Sequence, residues 1–402
     1  MITHENKLGM FIHWGGYSIL GAHEQALARF DLDHDEYEKT MLSFNPTEYN
    51  PEEWVLLAKR AGMKYICFTA KHHDGFCMWD TKYTDYGIMS TPYGKDTLKM
   101  LADACEKHGM LLSIYYSCPD WHHPYGYNPG ASHQWKSKNI NGEVNREIYI
   151  EFVKNQITEL LSNYGKIYTL FWDIPPLLDV PEMNELARRL QPGIFINDRG
   201  YGPGDFSTPE RDESPIGLSR FTKMTEACNS VDLASWGYRE IPLFHSLKYL
   251  ISSIDKVMAL GGSYLINVGP DASGKITEEY AKRIEAIGKW YNKLGGALEC
   301  HENDEYDYGI AIDKCIVNKK GNKTYFHFFE GLLTDTVIMK NEKGIPKYAR
   351  LMNTGEMLEC KMQCLTASIG KYEGILSTDY LTIGKIPVDS LQNEAIVIEV
   401  EW

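Results

Sequence analysis

No stretch of the 402 residues approaches 18 consecutive apolar side chains, so the sequence predicts no membrane-spanning helix. The opening "MITHENKLGMFIHWG" has no basic n-region, no apolar h-region and no small-residue cleavage site. As it stands the chain reads as cytoplasmic, with an earlier-removed leader left open. Basic residues are in deficit, 41 Lys and Arg against 55 Asp and Glu for a formal charge of −14, and they are scattered rather than striped. This argues against nucleic acid and anionic membranes as partners, and the acidity itself needs no explanation beyond solubility. Internal repeats and low-complexity tracts are missing too. Cysteine is sparse, nine in all, and Cys67, Cys77 and Cys105 lie in apolar segments where a thiol acts as a small hydrophobe. A reduced compartment is expected rather than a disulfide framework.

What is present is the composition of a globular protein, 43% apolar and 24% charged, on a chain longer than one core usually grows. Two domains are expected. From residue 9 to about 295, apolar strand-like runs alternate with amphipathic segments. "GMFIHWG" is followed by "PEEWVLLAKRAG", which puts Trp54, Leu57, Ala58 and Ala61 on one helical face behind a first-turn proline. "KYICFTAKH" precedes a helix around "DTLKMLADACEKHG", and "LLSIYYS" precedes the long helix in "REIYIEFVKNQITELLSNYG". "IYTLFWD", "PEMNELARRLQPG" and "IFINDR" continue the alternation, 200–240 is less clear, and "GGSYLINVGP" is the last strand before a helix at 277–293. The pattern predicts an α/β fold, an irregular (β/α)8 barrel of the TIM type over residues 1–298. An open doubly wound sheet is the runner-up, but "HWGGYS" after the first strand has no GxGxxG spacing. Residues 299–402 change character, with short alternating strands, Lys-Gly-Asn turns and no helical period, which predicts an all-β sandwich.

A barrel collects its active groups at the C-terminal ends of its strands. Here those ends are His13-Trp14, His72-His73-Asp74, Tyr115-Tyr116-Ser117, Trp172-Asp173, Asn197-Asp198-Arg199 and Asn267. Any one strand must stop at something polar, but six stops bearing His, Asp and Arg point to a site. A metal-dependent hydrolase fits the residue types His13, His72, His73 and Asp173, yet no His-x-His pair occurs on these strands. Neighbouring strand residues face opposite ways, so His72 and His73 are not both expected to aim inward. Sugar chemistry suits the 9 Trp and 26 Tyr, several near strand ends (Trp14, Trp79, Trp121, Trp236). Glycoside hydrolysis needs two carboxyls. Asp173 closes an apolar strand where a lone carboxylate is costly without a partner, for which Arg199 is suited. The second carboxyl is left among Glu210, Asp212 and Glu213 of "GDFSTPERDESP" and Glu226 of "TEAC", because spacing alone does not choose.

Taken together, "GMFIHWGGYS" (9–18), "AKHHDGFCMWDTKYTDY" (70–86), "YYS" before "DWHHP" (115–124), "FWD" (171–173), "NDR" (197–199), "DFSTPE" (205–210), "SWGY" (235–238) and "LINVGPDASG" (265–274) resemble the retaining α-L-fucosidases of glycoside hydrolase family 29. The resemblance implies an exo-enzyme that takes a terminal α-linked L-fucose from an oligosaccharide or glycoconjugate through a covalent intermediate, without cofactor or metal. It implies Asp173 as nucleophile and Glu210 as acid/base, with Glu226 the alternate. His13, Glu24, His72, His73, Tyr115, Phe171, Arg199 and Trp236 are implied as sugar contacts, with Phe171 standing where the family often has Trp. Two departures stand out: Glu24 is followed by Gln25 where the family shows a Glu-Trp pair, and Asp173 by Ile-Pro-Pro where many members have Gly. A fucose-binding protein without catalysis is the alternative from another class. Linkage preference and self-association are left open by the sequence.

Overall fold

The first strand, β1 (Leu8–Ile12), is buried along its whole length, as a strand covered on both faces must be. The computed structural model describes residues 6–126, 131–134, 145–211, 219–299, 302–303, 308–310, 314–340, 343–362 and 380–402. After a four-residue helix, α1 (Ala26–Arg29), come α2 (His34–Leu42) and α3 (Pro51–Arg60). Asn50 caps α3 by accepting the Glu52 amide, Pro51 opens it, and Trp54, Val55, Leu57 and Ala58 are its buried face. β2 (Tyr65–Lys71) follows, then α4 (Thr97–His108), capped by Asp96 on the Lys99 amide and stopped by Gly109 at φ 64°. The alternation continues through β3 (Leu111–Ser117), α5 (Arg146–Asn163), β4 (Ile167–Asp173), α6 (Glu182–Leu190), β5 (Phe195–Ile196), β6 (Glu226–Ser230), α7 (Leu247–Ala259), β7 (Ser263–Val268) and α8 (Glu278–Leu294).

These strands form one curled sheet in the order β5-β4-β3-β2-β1-β7-β6, with β1 to β5 pairing in parallel. The two ends of that sheet meet through an irregular segment. Asn197 bridges Phe206, Ser207 bridges Thr225 and Glu210 bridges Cys228, all in parallel. Residues 206–210 therefore stand between β5 and β6 as an eighth element and complete a barrel in strict chain order. The segment is too short and proline-broken to register as a regular strand, because Pro209 has no amide to give. This is the (β/α)8 architecture expected from the alternation, with its irregularity in the stretch that the sequence left unclear.

The chain divides into two compact units. One comprises 1–214, 223–244 and 265–285, and the other 215–222, 245–264 and 286–402. In the second unit an antiparallel sheet runs through β8 (Glu302–Asn303), β9 (Ile316–Lys320), β10 (Lys323–Phe328), β11 (Val337–Lys340), β12 (Tyr348–Leu351), β13 (Met357–Met362), β14 (Tyr380–Gly384) and β15 (Ile396–Glu401), in spatial order 11-14-13-12-15-10-9-8. β9 and β10 form a hairpin across Gly321-Asn322, with Gly321 at φ 62°. The first residues of β13 pair with β12 and its last four with β14, so this strand passes from one layer to the other. Phe326, Phe328, Leu351 and Ile398 meet Met339, Leu381 and Ile383 in a common core, the sandwich expected from the strand pattern.

Candidate active site

The ends of these strands deliver their side chains to one open pocket of about 420 Å3, lined among others by His13, His72, His73, Tyr115, Phe171, Asp173, Arg199, Glu210 and Trp236. Asp173 is the last residue of β4. The Tyr115 hydroxyl, from the adjacent β3, donates to its Oδ2 at 2.6 Å, and Arg199 Nη1 donates to its Oδ1 at 3.0 Å. Burial alone would push this carboxyl up, but the Arg199 guanidinium and the Tyr115 hydroxyl outweigh it and hold Asp173 below the ordinary carboxylate range. The same Arg199 Nη1 donates to Glu210 Oε2 at 2.9 Å, and its Nη2 to the Thr208 carbonyl at 2.6 Å. One nitrogen thus touches both carboxylates, so the bonded oxygens lie within about 6 Å of each other.

Both histidines of the "KHHDGF" stretch reach the pocket, contrary to the expectation from strand alternation. β2 shifts register between Thr69 and Lys71 and ends at Lys71, so His72 and His73 lie beyond the pleat and turn the same way, ring centroids 4.1 Å apart. Ser117 Oγ donates to the Pro119 carbonyl, so it accepts from His73 Nδ1 at 2.7 Å. That leaves His73 Nε2 as an acceptor, 3.8 Å from Asp173 Oδ2. Similarly, the Asn267 amide nitrogen donates to Ser230 Oγ and the Trp236 carbonyl, so its oxygen accepts from His13 Nδ1 at 2.7 Å. Burial lowers His13 to about 4 and His72 and His73 well below their usual value, so all three are neutral near pH 7. His72 lies parallel to the Tyr115 ring, and its buried Nδ1 has no hydrogen-bond partner among the described residues. A buried nitrogen left this way is completed by a ligand hydroxyl at modest cost.

Apolar walls complete the cup. Trp236 stacks on His13 at 5.2 Å, Phe171 stacks offset against Tyr115 at 5.8 Å, and Phe11 touches both His13 and Phe171. The Arg211 guanidinium lies 4.3 Å over the outer face of the Trp236 system and is fixed by the Leu233 carbonyl at 2.7 Å.

Two expected site residues are elsewhere. Glu24 is buried behind the wall and does not line the pocket. Its Oε2 accepts from Ser235 Oγ at 2.6 Å and from the amides of Trp236 and Gly237 at 3.0 and 3.2 Å, so it anchors the loop presenting Trp236. Burial opposes its charge, but His23 at 3.3 Å and the Ser235 hydroxyl overcome it and hold Glu24 at about 2. Its neighbour Gln25 lines the pocket instead. Glu226, the alternate second carboxyl, opens β6 and accepts from the Tyr65 hydroxyl at 2.6 Å, at the start of β2. The bridge of Glu210 to Cys228 puts Glu226 two residues further down the barrel, and it does not line the pocket. Asp212 and Glu213 fall outside the described residues.

The pocket also includes residues that periodicity gave no means of finding. His133, whose ring lies 5.6 Å from His73, is held by Trp121 Nε1 donating to its carbonyl. Ile174 follows Asp173 directly, and Cys228 comes from β6. Below the rim, Lys71 forms a fully buried ion pair with Asp120 at 2.8 Å, its ammonium 4.4 Å from the Tyr116 ring. Asp120 in turn accepts the amides of His122 and His123, which fixes the loop after β3. Among the described residues, no three His, Cys, Asp or Glu side chains are grouped so as to hold a metal ion.

A pair of partly exposed carboxylates bridged by arginine, ringed by neutral imidazoles and aromatic faces at the C-terminal mouth of a (β/α)8 barrel, is the equipment of a glycoside hydrolase. The family model for Alpha-L-fucosidase matches residues 3–296, and the chain belongs to that family, glycoside hydrolase family 29. It is similar to isoenzyme 1 of the α-L-fucosidase from Paenibacillus thiaminolyticus, with 29% identity and TM-score 0.84 over 99% of this chain and 97% of that one. A family 29 α-L-fucosidase from Bacteroides thetaiotaomicron, solved as a trapped covalent intermediate with 2-fluoro-fucosyl fluoride, shares 25% identity at TM-score 0.76 over 99% and 94%. The tissue α-L-fucosidase of Homo sapiens is 27% identical over 358 residues, 81% of this chain and 74% of that protein.

Proposed function

We propose that the chain is a retaining exo-α-L-fucosidase acting on terminal α-linked L-fucose of oligosaccharides or glycoconjugates, with Asp173 as nucleophile and Glu210 as acid/base. The observation that carries this is the Arg199 bridge. Carboxyls within about 6 Å suit direct attack, about 5–5.5 Å apart in retaining enzymes, and leave too little room for a water held between them as inverting enzymes require. In the first step Glu210 protonates the departing glycosidic oxygen while Asp173 forms a bond to the anomeric carbon. Glu210 then takes a proton from water, which displaces Asp173 and restores the original configuration. Tyr115 and Arg199 hold Asp173 ionised and aimed. His72 and the acceptor nitrogens of His13 and His73 receive sugar hydroxyls, and Phe11, Phe171 and Trp236 cover the C–H face. The base of the pocket is closed by the buried His13, His72, His73, Tyr115 and Phe171, which supports removal of a terminal residue held there.

The test is covalent labelling with a 2-fluoro-fucosyl fluoride followed by peptide mass spectrometry. The label is expected on Asp173 and is expected to vanish in Asp173→Asn. Attachment at another carboxylate, or none while fucosides are still hydrolysed, overturns the assignment.

A further inference from the structure

We propose that Ile174 and His133 form the wall of a leaving-group subsite, shaped for a second pyranose ring, and that strained backbone is retained to put them there. This rests on the fucosidase reading above and names its specificity. Six non-glycine residues have positive φ among the described residues, and three of them sit around this one mouth: His133 at 54°, Ile174 at 60° and Arg211 at 50°. Two of the three directly follow the candidate catalytic carboxyls, Ile174 after Asp173 and Arg211 after Glu210. For a β-branched side chain the left-handed region is especially unfavourable, and Pro175 restricts the preceding residue further. Glycine would take this backbone without strain. The turn itself is imposed by β4 ending at Asp173, whose carbonyl accepts the Cys118 amide at 2.9 Å. The identity of the side chain is not imposed, and Ile174 spends its branch on lining the pocket.

The pocket is layered. His13, His72, His73, Tyr115 and Phe171 are buried at its base, Ile174 is buried beside Asp173, and His133 is exposed and Gln25 partly so at its rim, so the wall from Ile174 to His133 runs outward from the base. With the fucose at the base and Glu210 on its glycosidic oxygen, the rest of the substrate must pass the rim. An aliphatic face at Ile174, an imidazole at His133 and an amide at Gln25 match a saturated ring with C–H faces and equatorial polar groups.

The experiment compares kcat/KM for α-L-fucosyl fluoride, whose leaving group is one atom, with that for a fucosyl disaccharide, in wild type, Ile174→Gly and Ile174→Ala. The expected result is a fall of about fivefold or more in the disaccharide-to-fluoride ratio in both variants, the scale of losing a few methyl contacts. The Gly variant is expected to melt above the Ala variant, since only glycine relieves the backbone. A ratio within about twofold of wild type in both variants removes the subsite. A Gly variant no more stable than Ala removes the strain argument. Failure of the wild type to turn over the fluoride overturns the fucosidase reading instead.

Discussion

Two carboxyls share the interior of one barrel and have opposite fates. Asp173, at the end of β4, has an arginine and a tyrosine hydroxyl and is held below the ordinary carboxylate range. Glu226, at the start of β6, has among the described residues only the Tyr65 hydroxyl, with its second oxygen unpartnered there, and burial raises it to about 7. Tyr65 leans so close over β1 that a Cβ at Gly9 would meet its ring at 2.5 Å. Depth in the barrel is therefore not what decides whether a carboxyl is ionised; the guanidinium is. At the mouth the desolvation cost is offset by Arg199, and at the base it is escaped by keeping the proton.

The sharpest way to break this contrast is Asp173→Asn. Turnover of an aryl α-L-fucoside is expected to fall by more than about 10^4-fold with Tm little changed, and a near wild-type rate would sink the nucleophile assignment. Next comes the pair Glu210→Ala and Glu226→Ala. Loss of about 10^2- to 10^4-fold with restoration by azide is expected for Glu210 alone, and azide rescue of the Glu226 variant would exchange the roles. His72→Phe keeps the ring and removes the free nitrogen, so KM is expected to rise about tenfold with kcat less affected; an unchanged KM refutes the hydroxyl contact.

The smallest effect is on stability. The folded Glu226 binds its proton up to about pH 7, whereas unfolded it releases it near 4.5. Its contribution to stability is present below about 4.5 and is lost as pH rises through 7. Tm of the wild type relative to Glu226→Gln should therefore decline from pH 5 to pH 8. A constant difference between them would show that Glu226 is ionised in the fold. His13 acts oppositely, with stability lost as pH falls from 6.5 towards 4, which is why the comparison is made between variants rather than on one curve.

The strand ends were readable because apolar runs that stop at His, Trp-Asp or Asp-Arg mark the mouth of a barrel, and Asp173, Tyr115 and Arg199 meet there. The choice between Glu210 and Glu226 was not readable, since sequence spacing does not reveal that one bridges Cys228 and the other sits two residues below it. His72 and His73 defeated the alternation rule because the strand ended one residue earlier than the argument assumed. Gln25 and His133 lie in stretches without period, and their places depend on contacts distant in the chain, such as Trp121 with the His133 carbonyl. Glu24 was expected, from the resemblance, as a sugar contact, and its hold on residues 235–237 was not legible.

Residues 206–210 are joined to the β5 side by one isolated bridge and to the β6 side by two, where β2 with β3 and β3 with β4 pair along five or more residues. The barrel thus has a seam, and the proposed proton donor is stitched into it. Amides along that seam, bonded to the β6 side through Ser207, Pro209 and Arg211 and to the β5 side through Asp205 and Phe206, should exchange with solvent ahead of those in β2 and β3, whose ladders on both sides are longer. The proposed nucleophile is placed differently, at the end of β4, a continuous strand paired with β3 and β5.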